Sequence, residues 1–234
     1  MKSALRGVRG PRGLSGIRLT LELLLGRRLW LFAGIDALLI LSQILSMLLG
    51  DGGEPPGIYT WVILFPFLLL GLPALSGIVE VERRAGCLDL ALSTPGAVGY
   101  FVRRAAAVCG FMAVQGWVIA VADWFYEDRG FPLLTVLLQV AAVAFLVGAL
   151  ALFWAVRLKT AGAVWLASMA TLVVLSPWFF RNPIPDIYFS RFGAWLLGRD
   201  EALPWLGSLA VLGTAATLFS LYARRRLRRP ESML

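Results

Sequence analysis

The chain has 234 residues, of which 59% are hydrophobic and only 15% are charged, and its formal net charge is +8. A soluble domain carries about 25% charged residues, and a fold of this size has too little interior to hide so many apolar side chains. The charges also lie between long apolar runs, as in membrane proteins. Composition therefore excludes an ordinary soluble domain and predicts an all-α integral membrane protein.

Six apolar segments are long enough to cross about 30 Å of hydrocarbon as helices, which takes about 20 residues each. We predict one transmembrane domain over residues 1–234, with a cytoplasmic and interfacial segment at 1–28, a six-span bundle at 29–223 and a basic cytoplasmic tail at 224–234. A re-entrant pair in place of one span is the alternative. The predicted spans are 29–49, 58–79, 105–124, 131–156, 160–180 and 204–222, of which the second is weakened by Pro66, Gly71, Pro73 and Gly77.

Lysine and arginine lie almost entirely on one side of this arrangement. Of the 22 cations, four fall in outer loops, at Arg129, Arg181, Arg191 and Arg199. The positive-inside rule then places both termini in the cytoplasm, and we expect a multi-pass protein of a bacterial or archaeal plasma membrane. Cations spread over four segments favour contact with anionic membrane lipid and argue against nucleic acid as a partner.

Two short segments are predicted to form helices along the membrane surface. Residues 13–26 place Leu14, Ile17 and Leu21 on one helical face, which predicts an interfacial helix, although a charged extension of the first span is the alternative. Residues 187–197 are apolar but too short to span. They predict an interfacial or re-entrant outer helix, or else a buried loop over the outer mouth of the bundle.

The inner loop at residues 80–104 is the most informative segment. Leu88 and Leu92 share a helical face, and Thr94-Pro95 supplies a stop and a new start. We therefore expect a short helix at 82–92, a sharp break, and a second helix leading into the third span. Considered alone, these residues leave two alternatives equally open: a rigid cytoplasmic element that contacts something outside the membrane, or an ordinary connecting hairpin.

Few polar residues interrupt the spans. Asp36 is the only acid well inside one, and such residues usually face a bundle interior or an aqueous cavity. Asp36 is a candidate for a substrate contact or proton site, with a polar packing contact as the alternative. Gln43, Gln115 and Gln139 are weaker candidates, of which Gln43 and Gln115 are assigned with Asp36 to a translocation path. An interhelical hydrogen bond is the expected role of each glutamine.

Several kinds of chemistry have no support in the sequence. There is no histidine, no phosphate-binding loop of the Walker type and no serine nucleophile motif. The two cysteines, Cys87 in the inner loop and Cys109 in the third span, exclude a disulfide framework by their placement. We therefore expect no catalytic, cofactor-binding or metal-binding residue, and no enzyme activity in this chain alone.

The inner loop resembles that of the permease subunits of type 2 ABC exporters. The matching residues are Glu82-Arg83, Gly86, Leu88, Asp89, Leu92 and Pro95, with Arg103 near the basic residue that usually opens the next span. Cys87 stands where the family more often has threonine. The six-span layout and the two surface helices also look like that family, so the resemblance covers nearly the whole chain, although the sharp motif is short.

The resemblance implies a role for each segment. The N-terminal helix would be the connecting helix, and residues 82–92 would be the coupling helix that docks on a separate ATP-binding subunit. Two permease copies, identical or paralogous, would pair with two such subunits, which hold ATP and Mg. The implied coupling residues are Glu82, Arg83, Arg84, Gly86, Leu88, Asp89, Leu92 and Pro95, and the implied outer gate comprises Tyr188, Phe192 and Trp195.

The function expected from the resemblance is export of a lipid-like or amphipathic substrate, driven by ATP. Two alternatives come from other classes: a membrane scaffold or assembly subunit that does not transport, and a secondary transporter driven by ions through Asp36. A partner with Walker motifs favours the exporter, whereas an ion-driven carrier should show further buried acids and repeat symmetry.

Overall fold

A computed structural model describes residues 67–88, 96–126, 133–174 and 202–228, together with seven helical positions in the first predicted span. The described residues contain helices and turns but no strand, so the all-α expectation is confirmed for this part of the chain. The helices are a π-helical turn at Phe67–Gly71, α1 (Leu72–Arg84), α2 (Ala97–Tyr126), α3 (Leu133–Ala155), α4 (Ala161–Val174) and α5 (Ala202–Leu227). The seven isolated positions are Trp30, Leu31, Gly34, Ile35, Ala37, Leu38 and Leu41.

Three of the described helices are long and apolar enough to cross a membrane. Their candidate spanning segments are Val98–Ala122, Leu133–Ala155 and Trp205–Leu227, at the predicted third, fourth and sixth spans. Helix α4 is apolar but shorter, and α1 is the described part of the irregular second span. The surface helices at 13–26 and 187–197 lie outside the described residues.

The second span is irregular where the sequence predicts it to be. A π-helical turn precedes α1, and Pro73 lies in the first turn of that helix. Proline has no N–H to donate, so a regular α-helical hydrogen bond to the carbonyl four residues earlier cannot form. Gly71 lies at this junction, where a Cβ would meet the Met112 side chain of α2 at 3.2 Å.

Helix α3 is the centre of the described bundle. In its most apolar window 67% of the residues are buried, compared with 39% for α2 and 22% for α5. It contacts α1, α2, α4 and α5. Its fully buried positions include Val136, Val147 and Leu150, and the surrounding apolar groups belong to the same core.

Several polar side chains in these helices form hydrogen bonds within their own helix or between α3 and a neighbour. The hydroxyls of Ser76 and Ser168 donate to the backbone carbonyl four residues earlier in their own helices, which removes unpaired donors from an apolar setting. Between helices, three indole N–H groups form hydrogen bonds that join α3 to its neighbours. Trp117 donates to the Leu137 carbonyl at 3.0 Å, Trp154 donates to Thr171 Oγ1 at 3.2 Å, and Trp205 donates to Gln139 Oε1 at 2.9 Å.

The Gln139 contact confirms the interhelical role expected for that glutamine. Gln139 is fully buried on α3 and Trp205 is 7% exposed near the start of α5. Their hydrogen bond joins two helices that are far apart in sequence but share the largest contact of the described bundle. A buried amide oxygen left without a donor would be destabilising, so this pair fixes how α5 lies against α3.

Helices α2 and α3 approach closely where Cys109 faces Gly148. An ideal Cβ at residue 148 would lie 2.1 Å from Cys109 Sγ, which is far shorter than van der Waals contact. Only glycine fits there with the thiol in place. Small residues at helix crossings allow this kind of close packing in membranes, where dispersion contacts replace the hydrophobic effect.

Gly148→Ala should therefore lower the melting temperature of the full chain in detergent. Overpacking at such a crossing costs about 1–3 kcal/mol. Gly110→Ala is the matched control, since a Cβ at residue 110 would meet no atom within 4 Å. The double variant Cys109→Ala/Gly148→Ala should recover most of the loss, because it removes the sulfur that the new methyl group meets. Failure of the double variant to recover would contradict a direct contact.

Candidate functional site

All the lysines and arginines of the described residues lie at one end of the bundle. The end of α1 contacts the start of α2 and the start of α4, and the end of α3 contacts the end of α5. The opposite end of α2 carries Asp123. This one-sided distribution is the pattern on which the predicted orientation depends. The cations are Arg83, Arg84, Arg103, Arg104, Arg157, Lys159, Arg224, Arg225, Arg226 and Arg228.

Helix α1 ends at this charged end in a Schellman motif. Gly86 has φ +67°, its N–H donates to the Arg83 carbonyl at 3.1 Å, and the Cys87 N–H donates to the Glu82 carbonyl at 3.0 Å. The left-handed conformation at Gly86 satisfies carbonyls that the end of a helix leaves open. A Cβ at Gly86 would meet no atom within 4 Å, so its backbone angle accounts for the glycine without any close approach.

This geometry corrects the expectation of one helix over residues 82–92. Glu82, Arg83 and Arg84 form the last turn of α1, and the chain turns at residues 85–86. Leu88 is helical and only 5% exposed. The expectation placed the break at Thr94-Pro95, but the left-handed glycine ends the helix eight positions before that threonine. The expected helix end and the expected start of a second helix both still fall in this loop, at Arg84 for α1 and at Ala97 for α2.

Glu82 is held by two side chains of α2. Its Oε1 accepts a hydrogen bond from Arg104 Nη1 at 2.7 Å and another from the Tyr100 hydroxyl at 2.6 Å. The Arg104 guanidinium carbon lies 4.4 Å from the centre of the Tyr100 ring. The ionic side chains are 15% exposed for Glu82 and 10% for Arg104. A shielded, charge-assisted pair of this kind fixes the end of α1 against α2.

Glu80 and Arg83 bind the segment that opens α4. Glu80 Oε2 accepts the Ala161 backbone N–H, while its other oxygen accepts from Arg84 Nε at 2.7 Å. A carboxylate is favourable at a helix N-terminus, where N–H groups lack partners and the dipole is positive. Arg83 Nη1 donates to the Lys159 carbonyl. We call Glu80, Glu82, Arg83, Tyr100 and Arg104 the polar clasp, since together they join α1 to α2 and to α4.

Only part of the predicted site is described. The polar clasp contains Glu82 and Arg83, whereas Arg84 and Gly86 are exposed and Leu88 is buried. Gln115 is partly buried on α2. Asp36, Gln43, Asp89, Leu92, Pro95, Tyr188, Phe192 and Trp195 lie outside the described residues.

Sequence reasoning missed Glu80, Tyr100 and Arg104 as members of this site. The charge distribution along the sequence indicates only that Arg104 lies on the inner side, and it assigns no role to Tyr100. Their spacing carried a signal, because residues four apart share a helix face and both stand at the start of a helix that follows the loop. Their acceptor, however, is on another helix, and no periodicity within the chain identifies it.

No group of three or more Asp, Glu or Cys side chains that could hold a metal ion occurs in the described part of the chain. Comparison with protein-family models, with curated proteins and with solved structures finds no match to the chain. The arrangement itself must therefore support any functional proposal.

Glu82 and Arg104 should be strongly coupled in a double-mutant cycle. Glu82→Gln and Arg104→Gln each leave a shielded charge without its ionic partner, so each should lower the free energy of unfolding. The double variant should lose less than the sum, with a coupling energy of about 1–3 kcal/mol. Denaturation of the full chain in detergent measures it. Arg103→Gln is the control, because Arg103 is exposed and donates to the Gly99 carbonyl of its own helix. Additive losses would contradict the pairing.

Proposed function

We propose that the chain is the permease subunit of an ATP-driven exporter, with the α1–α2 connection as its contact with a separate ATP-binding subunit. The observation that carries the proposal is the polar clasp at the charged end of the bundle. It ties the end of α1 to α2 through an ion pair, and to the start of α4 through hydrogen bonds between charged side chains and backbone groups. The sequence resemblance of the same loop to type 2 ABC-exporter permeases supports this assignment.

A docking element must be rigid if movement of its partner is to move the transmembrane helices. A flexible loop would absorb a displacement, whereas a capped helix end with shielded ion pairs passes it on. Here the Schellman motif fixes the exit of α1, and Glu82 and Glu80 hold that end on two further helices. A push on the exposed Arg84, Gly86 and Cys87 would therefore move α1, α2 and α4 together. This arrangement favours force transmission over the simple connecting hairpin.

The proposal extends to the rest of the assembly. Two permease copies, identical or paralogous, pair with two ATP-binding subunits that hold ATP and Mg, and the cargo is lipid-like or amphipathic. All six predicted spans and cytoplasmic termini belong to this proposal. Asp36 and Gln43 belong to it as candidates for the translocation path, with Gln115 on α2. Tyr188, Phe192 and Trp195 belong to it as the outer gate.

Cys87 provides a direct test of the orientation. It is exposed, whereas Cys109 packs between α2 and α3. A membrane-impermeant maleimide should label Cys87 in inside-out vesicles but not in right-side-out vesicles. Cys87→Ser, which should abolish labelling, is the control. A photo-crosslinker attached at Cys87 in native membranes should then join the chain to a protein with Walker motifs. Labelling in right-side-out vesicles would contradict the proposal.

The conformation of Gly86 should matter more for coupling than its size. A β-branched residue at a left-handed φ is strongly disfavoured, while asparagine tolerates it. Gly86→Val should therefore reduce MgATP hydrolysis per purified complex, and Gly86→Asn should retain most of it. Quantifying the ATP-binding subunit that co-purifies shows whether a variant fails to bind this subunit or binds it without normal hydrolysis. Equal activities for the two variants would show that the turn is not part of the coupling.

The same measurements separate the alternatives. A scaffold subunit should cross-link to other membrane or structural proteins through Cys87 and show no ATPase activity in its complex. An ion-driven carrier should transport without any ATP-binding partner. In either case the Gly86 variants would alter stability without altering ATP hydrolysis.

A further inference from the structure

The charged end contains two clusters in which arginine packs on tyrosine, and they differ in charge. In the polar clasp, one guanidinium lies over Tyr100 and is neutralised by Glu82. In the second cluster, Arg157 and Arg226 both bind Tyr222. Neither guanidinium forms an ion pair with a carboxylate among the described residues. The second cluster thus places two positive charges on one tyrosine, and none of the described carboxylates neutralises them.

Arg157 is held in a defined orientation, although it is exposed. Its Nε and Nη2 atoms donate to the Tyr222 hydroxyl oxygen at 3.0 and 2.8 Å. Its guanidinium carbon lies 4.6 Å from the centre of the Phe153 ring and 4.7 Å from that of Tyr222. Such stacking suits a planar, delocalised guanidinium. These contacts orient the guanidinium of Arg157 before any ligand binds, so binding would cost little side-chain conformational entropy.

Arg226 brings a second positive charge to the same oxygen. Its Nε donates to the Tyr222 hydroxyl at 3.1 Å. Two guanidinium groups bound to one oxygen place unit charges within roughly 6 Å of each other. Like charges at this separation repel, and an anion between them would offset the repulsion. The remaining guanidinium N–H groups and the tyrosine O–H are suitable donors for phosphate oxygens, which guanidinium recognises in bidentate geometry.

We propose that Arg157, Tyr222 and Arg226 form a phosphate-binding site that takes the headgroup of an anionic phospholipid. The location favours lipid as the source of the phosphate. Tyr222 lies near the end of the candidate span Trp205–Leu227, and Arg157 lies two residues after Leu133–Ala155, so the cluster stands where the apolar helices end. The aromatic floor of Phe153 and Trp154 suits the boundary between headgroup and acyl chains. This proposal assumes that the apolar helices lie in a membrane, and it does not depend on ATP hydrolysis.

The test is native mass spectrometry of the full chain. The protein in detergent is titrated with phosphatidylglycerol or with phosphatidylcholine, and the lipid that remains bound after removal of the detergent is measured. The chain should bind phosphatidylglycerol more tightly. Arg157→Gln and Arg226→Gln should each raise the dissociation constant of the tightest phosphatidylglycerol by about tenfold, since each removes a charge-assisted hydrogen bond. Tyr222→Phe should also weaken binding while keeping the ring in place, which guards against loss of packing in the arginine variants.

Arg225→Gln is the matched control, because it removes an exposed arginine from the same turn of α5 and should leave the dissociation constant unchanged. Equal weakening in Arg225→Gln would overturn the proposal, since general attraction to the cationic end would then account for binding. No preference for phosphatidylglycerol would also overturn it. Displacement of the lipid by a large excess of inorganic phosphate would support the phosphate chemistry and overturn lipid as its source.

Discussion

The cost of moving a charged side chain into hydrocarbon determines the layout of the described bundle. Arginine and lysine in a membrane helix must reach the aqueous boundary or find a partner. In the described residues, every one of these side chains lies at a single end of the bundle. Helices α1, α3 and α5 finish there and α2 and α4 begin there, so their termini share one charged layer. Both the polar clasp and the Tyr222 cluster belong to that layer.

Away from that layer, the described bundle is held by apolar packing on α3 and by side-chain hydrogen bonds. The described serine hydroxyls of α1 and α4 donate to carbonyls of their own helices, so these hydrogen bonds do not determine which helix packs beside them. The indoles of Trp117, Trp154 and Trp205 each join α3 to a different helix. Close approach at Gly148 adds a steric requirement. The neighbours of α3 are therefore specified by a few positions in a mostly uniform apolar surface.

Hydropathy predicted the existence of the described helices better than their limits. Hydropathy alone starts the third span at residue 105, because Arg103 and Arg104 are helical but hydrophilic. The Thr94-Pro95 signal did predict the helix that leads into this span, and α2 begins at Ala97. Helix α1 likewise continues past Val79 to Arg84. The irregular start of α1 was predictable because proline and glycine act locally. The end of α1 was misplaced because the break was assigned to Thr94-Pro95, whereas the left-handed turn at Gly86 ends the helix.

The polar pairs were beyond sequence reasoning for a different reason. Glu82 and Arg104 could each be assigned to the inner surface by charge, but their pairing depends on how α1 crosses α2. Gln139 could be assigned an interhelical bond, but its partner Trp205 comes from a distant helix. Periodicity predicts which face a residue occupies on its own helix. It carries no information on which helix lies opposite.

The two arginine–tyrosine clusters show how one chemical unit can have different consequences. Where Glu82 completes the unit, the charge is neutralised within the chain, and the result is a fixed joint between helices. Where Arg226 takes the place of the acid, the unit carries two positive charges, and no carboxylate among the described residues pairs with them. A contact that fixes two helices is most stable when its charges are neutralised within the chain, whereas a binding site for an anion needs positive charge that is not neutralised. The first cluster therefore suits transmission of movement from the α1–α2 connection, and the second suits attachment of the same end of the bundle to anionic lipid.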